Sequence, residues 1–341
     1  MVSLDIFNSD AFQAVQMTAA IDRIGYKPNY LSGLPGLYIP TPVTTTSVFI
    51  EARDNAPALI QTSERGTAPS EKGGEKRNVR SFRTARIAQG STIHAEEAQN
   101  IRAFGKESDL QTAMGLVSRR QFLMRQDVDL TKEFHLLGMV QGKFIDADGT
   151  PIYDWSTEFG QAQMAEVDFD LDNANPAQGA VKTKCNALKR ATLTNLKGLG
   201  GAGVGIHALC GDNFYDALTS HKEVYQTFLN WNAAKDLRND VGTAYSTFQF
   251  GDITWHNYRG TADSKVAIPT NKARFFPVGA GIFQYALSPA ESFDFVNTLG
   301  QEVYSWMIYD RDRNMWVRPE VASYPLPVCV QPSALGSAKM T

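Results

Sequence analysis

The chain is poor in the residues that announce chemistry. It has three cysteines in 341 residues. Cys185, Cys210 and Cys329 are far apart and form no CxxC, so neither a disulfide framework nor a zinc site is indicated, and buried free thiols are expected. The five histidines (His94, His135, His207, His221, His256) fall into no HExxH or HxxxH spacing. GxSxG and GK[ST] motifs are missing, which removes the usual nucleophile elbow and P-loop. No apolar run approaches the ~18 to 20 residues of a membrane helix. Acids stand in MVSLDIFNSDAF where a signal peptide would carry a basic region, so folding in a cytoplasm-like compartment is expected. Excess positive charge is also lacking. A net charge of -3 does not suit a protein that coats nucleic acid, because that work displaces counterions with a basic surface.

Two near-motifs fail on detail. DADG at Asp146–Gly149 resembles the start of a calcium loop but has no Glu at the twelfth position, and the run Asp168, Asp170, Asp172 has Asn173 where the loop glycine belongs. Gly198, Gly200 and Gly203 match GxGxxG. A dinucleotide fingerprint follows a strand and opens a helix, whereas this one is expected to follow a helix and open the strand VGIHAL.

What the chain has is a core and a long helix. Its 43% hydrophobic content supports two domains. From Ser108 to Phe144, Leu116, Leu123, Leu130, Leu137 and Phe144 recur every seven residues, with Val117, Met124, Phe134 and Val140 beside them. This predicts a helix over 109–143, roughly 50 Å long, with one buried stripe. Ser108 and Gln111 read as its capping box. Arg119, Arg120, Arg125, Asp127, Lys132 and Glu133 are assigned to a polar outer face, and His135 is expected to be partner-bonded or exposed.

Before this spine, residues 1–42 carry Pro28, Pro35, Pro40 and Pro42 and read as an arm that lies across something else. Residues 43–61 read as a strand, followed by a polar excursion and a return strand. Between Thr62 and Gly90 stand seven basic residues, Arg65, Lys72, Lys76, Arg77, Arg80, Arg83 and Arg86, against three acids. That local excess of +4 in an acidic chain is read as a candidate electrostatic handle for a partner or a second copy. After the spine, GKFIDADGTPIYDW predicts a β-hairpin, and 179–285 alternates helices with strands as a mixed α/β unit. The late strands around the DRDRN turn are expected to pair with each other and to meet the 142–155 hairpin and the spine.

The order of GKFIDADGTPIYDW, HALCGDNFYDALTSHKEV, ARFFPVGAGIFQYALSPAE and WVRPEVASYPLPVCVQPSAL resembles the major capsid proteins of lambda-type tailed bacteriophages, the protein E family. The resemblance implies an α+β capsid fold with four parts: an arm (Met1–Pro42), an extended loop (Thr62–Gly90), an axial α/β domain (Lys182–Ala286), and a peripheral domain built from 43–181 and 287–341. It also implies a structural, non-enzymatic subunit without cofactor or metal. Such a subunit self-assembles into hexamers and pentamers of an icosahedral virion shell around packaged double-stranded DNA. Scaffold, portal and decoration proteins are the implied partners, with assembly in the host bacterial cytoplasm and no membrane. Two other readings stay open: a nucleotide-binding cytoplasmic enzyme using Gly198–Gly205, and a compartment shell of the same fold.

Overall fold

The computed structural model describes residues 30–53, 77–100, 109–199, 203–232, 247–258, 260–261 and 266–341. Of the stretch expected as an arm, residues 30–42 are packed into the body of the chain: Leu31 and Leu37 are almost completely buried. β1 (Ile39–Pro42) runs parallel to a later strand, with Ile39 beside Gln284. It is an edge strand, which tolerates the donors that Pro40 and Pro42 lack. β2 (Ser47–Arg53) and β3 (Arg77–Arg83) form an antiparallel ribbon in register from Ser47↔Arg83 to Arg53↔Arg77. β4 (Ile87–Gly90), β5 (Ile93–His94) and a short helix α1 (Ala95–Asn100) follow.

The spine is α2 (Asp109–Val140), three residues shorter at its end than the predicted range; its proposed cap Ser108 lies outside the described residues. The end is set by two glycines. Gly142 takes φ +76, a left-handed conformation that favours glycine, and a Cβ on Gly138 would stand 2.9 Å from the Lys143 carbonyl oxygen. The chain therefore turns back tightly on the helix. It enters the hairpin of β6 (Lys143–Ile145) and β7 (Pro151–Asp154), as the sequence predicts. The Asp154 carboxylate then accepts from the Ser156 and Thr157 amides and starts α3 (Trp155–Phe159).

The buried stripe follows the heptad only at its end, at Leu137 and Phe144; earlier it runs through Val117 and Met124 of the predicted stripe. Leu123 is 51% and Leu130 41% exposed, whereas Val117, Gln121, Met124 and Val128 are buried. Four- and three-residue steps link these four, and Met124 and Val128 pack on Val303 and Val321. Heptad spacing drifts around a 3.6-residue helix, so it could not mark which side the body of the chain would take. Glu133, expected on the polar face, is buried, as are Asp129 and His135.

β8 (Val167–Asp168), α4 (Ala180–Asn195), β9 (Gly205–Cys210), α5 (Asp212–Ser220) and α6 (Lys222–Asn232) come next. They are followed by β10 (Thr247–Phe250), β11 (Ile253–Asn257), β12 (Lys272–Val278) and β13 (Phe283–Leu287). The chain closes with β14 (Tyr304–Tyr309), β15 (Trp316–Ser323), β16 (Pro325–Cys329) and β17 (Gly336–Lys339). A six-stranded mixed sheet has the order β10-β11-β9-β12-β17-β8. One face, with Ile206, Ala208, Cys210, Trp255 and Phe275, shares a core with Val181, Cys185 and Leu188 of α4 and Phe214 and Leu218 of α5. The other face, with Leu209 and Phe276, joins Leu136, Leu137, Met139 and Val140 of the spine in a larger core.

Two boundaries differ from the reading of the sequence. β17, placed with the segment 287–341 expected to be peripheral, is the strand between β12 and β8 in the six-stranded sheet, and β13 pairs with β1 and β16. The strand completing the β14–β15 sheet is β4, assigned to the extended loop, whereas the 142–155 hairpin forms its own two-stranded sheet. Strand pairing joins residues some 230 positions apart, which local pattern does not encode. The three cysteines are free and buried, as expected.

Candidate assembly surface

The β2–β3 ribbon has two unlike faces because successive residues alternate. On the inner face, Phe82 is buried edge-on to Tyr153, Trp155 and Phe159, with ring centroids 5.2 to 5.8 Å apart. The Tyr153 hydroxyl accepts from the Arg83 amide at 3.2 Å, and Arg80 reaches Glu158 at 3.4 Å. The outer face presents Phe49, 69% exposed, and Val79, also exposed. At the ribbon's root, Ser288 Oγ donates to the Thr45 carbonyl at 2.7 Å and Arg86 pairs with Glu291.

Of the seven basic candidates, Arg80 and Arg86 thus hold ion pairs within the chain, both among exposed side chains. Arg83 is exposed and has no ion pair among the described residues. Arg77 takes part in the ribbon through its backbone. Arg65, Lys72 and Lys76 lie outside the described residues.

A second feature ties the start of the described chain to the spine. The Glu133 carboxylate accepts from the Leu31 amide at 2.8 Å, the Ser32 amide at 3.0 Å and the Tyr258 hydroxyl at 3.4 Å. One buried acid thereby joins the turn at Leu31 and Ser32, the spine and Tyr258 just after β11. Burial raises its pKa, and the backbone amides of Leu31 and Ser32 oppose that shift. Beside it, the Tyr30 ring stands 4.7 Å from His256, whose Nε2 is 3.0 Å from His207 Nδ1. Burial, and then the neighbouring His207, lower His256 to about 3, while burial lowers His207. One residue before Glu133, the Lys132 ammonium sits 5.5 Å from the ring centroids of both Tyr38 and Tyr285 and pairs with Glu302. Sequence reasoning missed Glu133, since an acid between apolar residues on a helix carries the same local pattern whether it faces water or a buried amide.

No cluster of His, Cys, Asp or Glu among the described residues has metal-binding geometry. Gly198, at φ +84, follows the C-terminal end of α4 and Gly203 precedes the strand β9, so neither stands at a helix N-terminus that could face a phosphate, and Gly200 lies outside the described residues. No helix among the described residues is long and apolar enough to cross a membrane.

A long helix lying against a sheet, an antiparallel ribbon packed on one face and a mixed six-stranded sheet make up an α+β fold shared with tailed-phage capsid proteins. The chain belongs to the family described as phage major capsid protein E, whose model matches residues 13–340. It is a structural capsid subunit and not an enzyme. It is 27% identical, over 95% of both chains, to the major capsid protein of Salmonella phage Felix O1. It is 26% identical to that of Pseudomonas phage KPP10, over 78% of this chain and 80% of the relative. Among solved structures, the mature capsid of bacteriophage PhiM1 matches with a TM-score of 0.52 at 9% identity, covering 93% of this chain and 89% of that one. The capsid of phage XM1 matches with a TM-score of 0.51 at 11% identity, covering 93% and 95%. These structural likenesses are likenesses of fold.

Proposed function

We propose that the chain assembles as hexamers and pentamers into an icosahedral head that encloses double-stranded DNA, with the β2–β3 ribbon and its basic excursion laid on neighbouring copies. The observation that carries this reading is the ribbon's outer face. A two-stranded ribbon with one face packed and the other carrying Phe49 and Val79 leaves apolar area in water, and a second chain can remove it. The local +4 between Thr62 and Gly90 in a chain of net charge -3 supports attraction between unlike regions of identical subunits. An acidic shell wall also suits confinement of DNA without sequence-specific grip. Scaffold, portal and decoration proteins are the proposed partners, and the host bacterial cytoplasm is the proposed place of assembly.

The test is electron microscopy and sedimentation of the full chain expressed with its phage's scaffold. Closed shells or capsomers are expected. A chain that stays monomeric at high concentration with scaffold present refutes the reading.

A further inference from the structure

The first half of the spine has two apolar sides, and the body of the chain takes one of them. Val117, Gln121, Met124 and Val128 are buried, and Met124 and Val128 meet Val303 and Val321. At 3.6 residues per turn, Phe122, Leu123 and Leu130 fall on the opposite side, and all three are exposed. Steps of four and three residues lead from Phe122 through Gln126 and Leu130 to Glu133 and Leu137, so these side chains belong to one stripe.

The far end of that stripe is covered, and the cover is the chain's own beginning. Leu137 lies in the core that holds Leu31 and Leu37, and the Glu133 carboxylate accepts from the Leu31 and Ser32 amides. The cover stops where the described residues begin, at Tyr30, and the stripe is bare from there towards the start of the helix. Leu130 is about 4.5 Å and Leu123 about 15 Å along the axis from Glu133. Residues 24–30 span roughly 20 Å when extended, so the chain preceding Tyr30 reaches both.

The sequence before Tyr30 carries a face that suits the stripe. Met17, Ile21 and Ile24 stand at i, i+4 and i+7, the spacing of one side of a helix, with Asp22 and Arg23 between them and Gly25 as a stop signal. Tethering favours this occupant over a second copy, because a segment held by a short linker acts at about millimolar effective concentration.

We infer that residues 12–29 of each copy lie along the same copy's spine and cover Phe122, Leu123 and Leu130. The arm read from the sequence then lies across its own helix. The contact belongs to the free subunit, so it goes beyond the shell reading and is tested without particles. It adds a layer on the side away from Val303 and Val321, and its loss leaves the packed side of the helix untouched.

The test places the photoreactive analogue p-benzoylphenylalanine at position 123 of the full chain. Labelled (nitrogen-15) and unlabelled free subunits are mixed in dilute solution and irradiated. Cross-links from position 123 to peptides of residues 12–29, with both ends in chains of one label, are expected. Ile21→Asp should reduce their yield about tenfold, because it sets a carboxylate against apolar side chains, and Ile21→Leu should retain them. Amide hydrogen exchange gives a second reading. Residues 12–24 should be protected in the unaltered chain and lose that protection when Leu123→Asp and Leu130→Asp are combined, while the amides of the axial sheet exchange as before. Cross-links that join different labels, cross-links that avoid residues 12–29, or an unchanged exchange of residues 12–24 in the double variant overturn the inference. Failure of the chain to form particles bears on the shell reading alone, so the two failures are distinguishable.

Discussion

Glu133 has three donors from two distant segments, and its removal leaves the Leu31 amide buried without an acceptor. Glu133→Ala is expected to cost about 1–3 kcal/mol in urea unfolding, the range for orphaning a buried donor. Glu133→Gln keeps one acceptor oxygen and avoids ionisation of a carboxyl whose pKa burial has raised, so it should cost less. The buried histidines give a pH dependence of definite sign. Burial lowers His135 to about 4, and His256 is lowered to about 3. A base with a depressed pKa in the folded state takes up its proton more readily when unfolded. The subunit should therefore lose stability as pH falls from about 6.5 towards 4. Thermal unfolding of the free subunit at pH 7 and pH 4.5 checks this, and His135→Phe should flatten the slope. An unchanged slope would assign the acid sensitivity to other groups.

On the spine helix, adjacent residues have opposite fates, and a pair of substitutions separates them. Met124→Asp puts a carboxylate among Val128, Val303 and Val321 and is expected to destabilise the subunit by several kcal/mol. Leu123→Asp, one residue earlier on an exposed side, should change stability by no more than about 0.5 kcal/mol. If both unfold the subunit alike, the heptad leucines are buried after all. The ribbon offers a second comparison. Phe82→Ala removes the ring that Tyr153, Trp155 and Phe159 surround and should cost about 3–5 kcal/mol. Phe49→Ala on the outer face should leave subunit stability unchanged and reduce particle yield.

At the scale of the molecule, the last strand, β17, enters the six-stranded sheet built mainly from the middle of the chain. Ending the chain before Gly336 removes β17 from between β12 and β8, uncovering core around Phe275 and Leu188. Such a truncation is expected to yield insoluble protein, whereas a peripheral C-terminus would have tolerated it. Solubility and near-ultraviolet circular dichroism distinguish the outcomes. The spine and the sheet face that carries Leu209 and Phe276 share one hydrophobic core, so the two should unfold in a single transition.

Local pattern alone determined the elements whose signals lie within a few residues. These are the spine and its glycine stop, the hairpin with its Asp148–Gly149 turn, the helices at 180–195, 212–220 and 222–232, and the order of motifs that marked the family. Tertiary structure decided everything that depends on which face meets which. Leu123 and Leu130 of the seven-residue series went to water because the β14–β15 region took the neighbouring stripe, whereas Leu137 entered the core. Glu133 became a buried clamp because Leu31 and Ser32 arrived from a hundred residues upstream. Strand β17 entered the axial sheet because its partners lie far from it in the chain. Backbone hydrogen bonding and apolar burial are satisfied by neighbours in space, and a helix or strand read by itself records only its own periodicity.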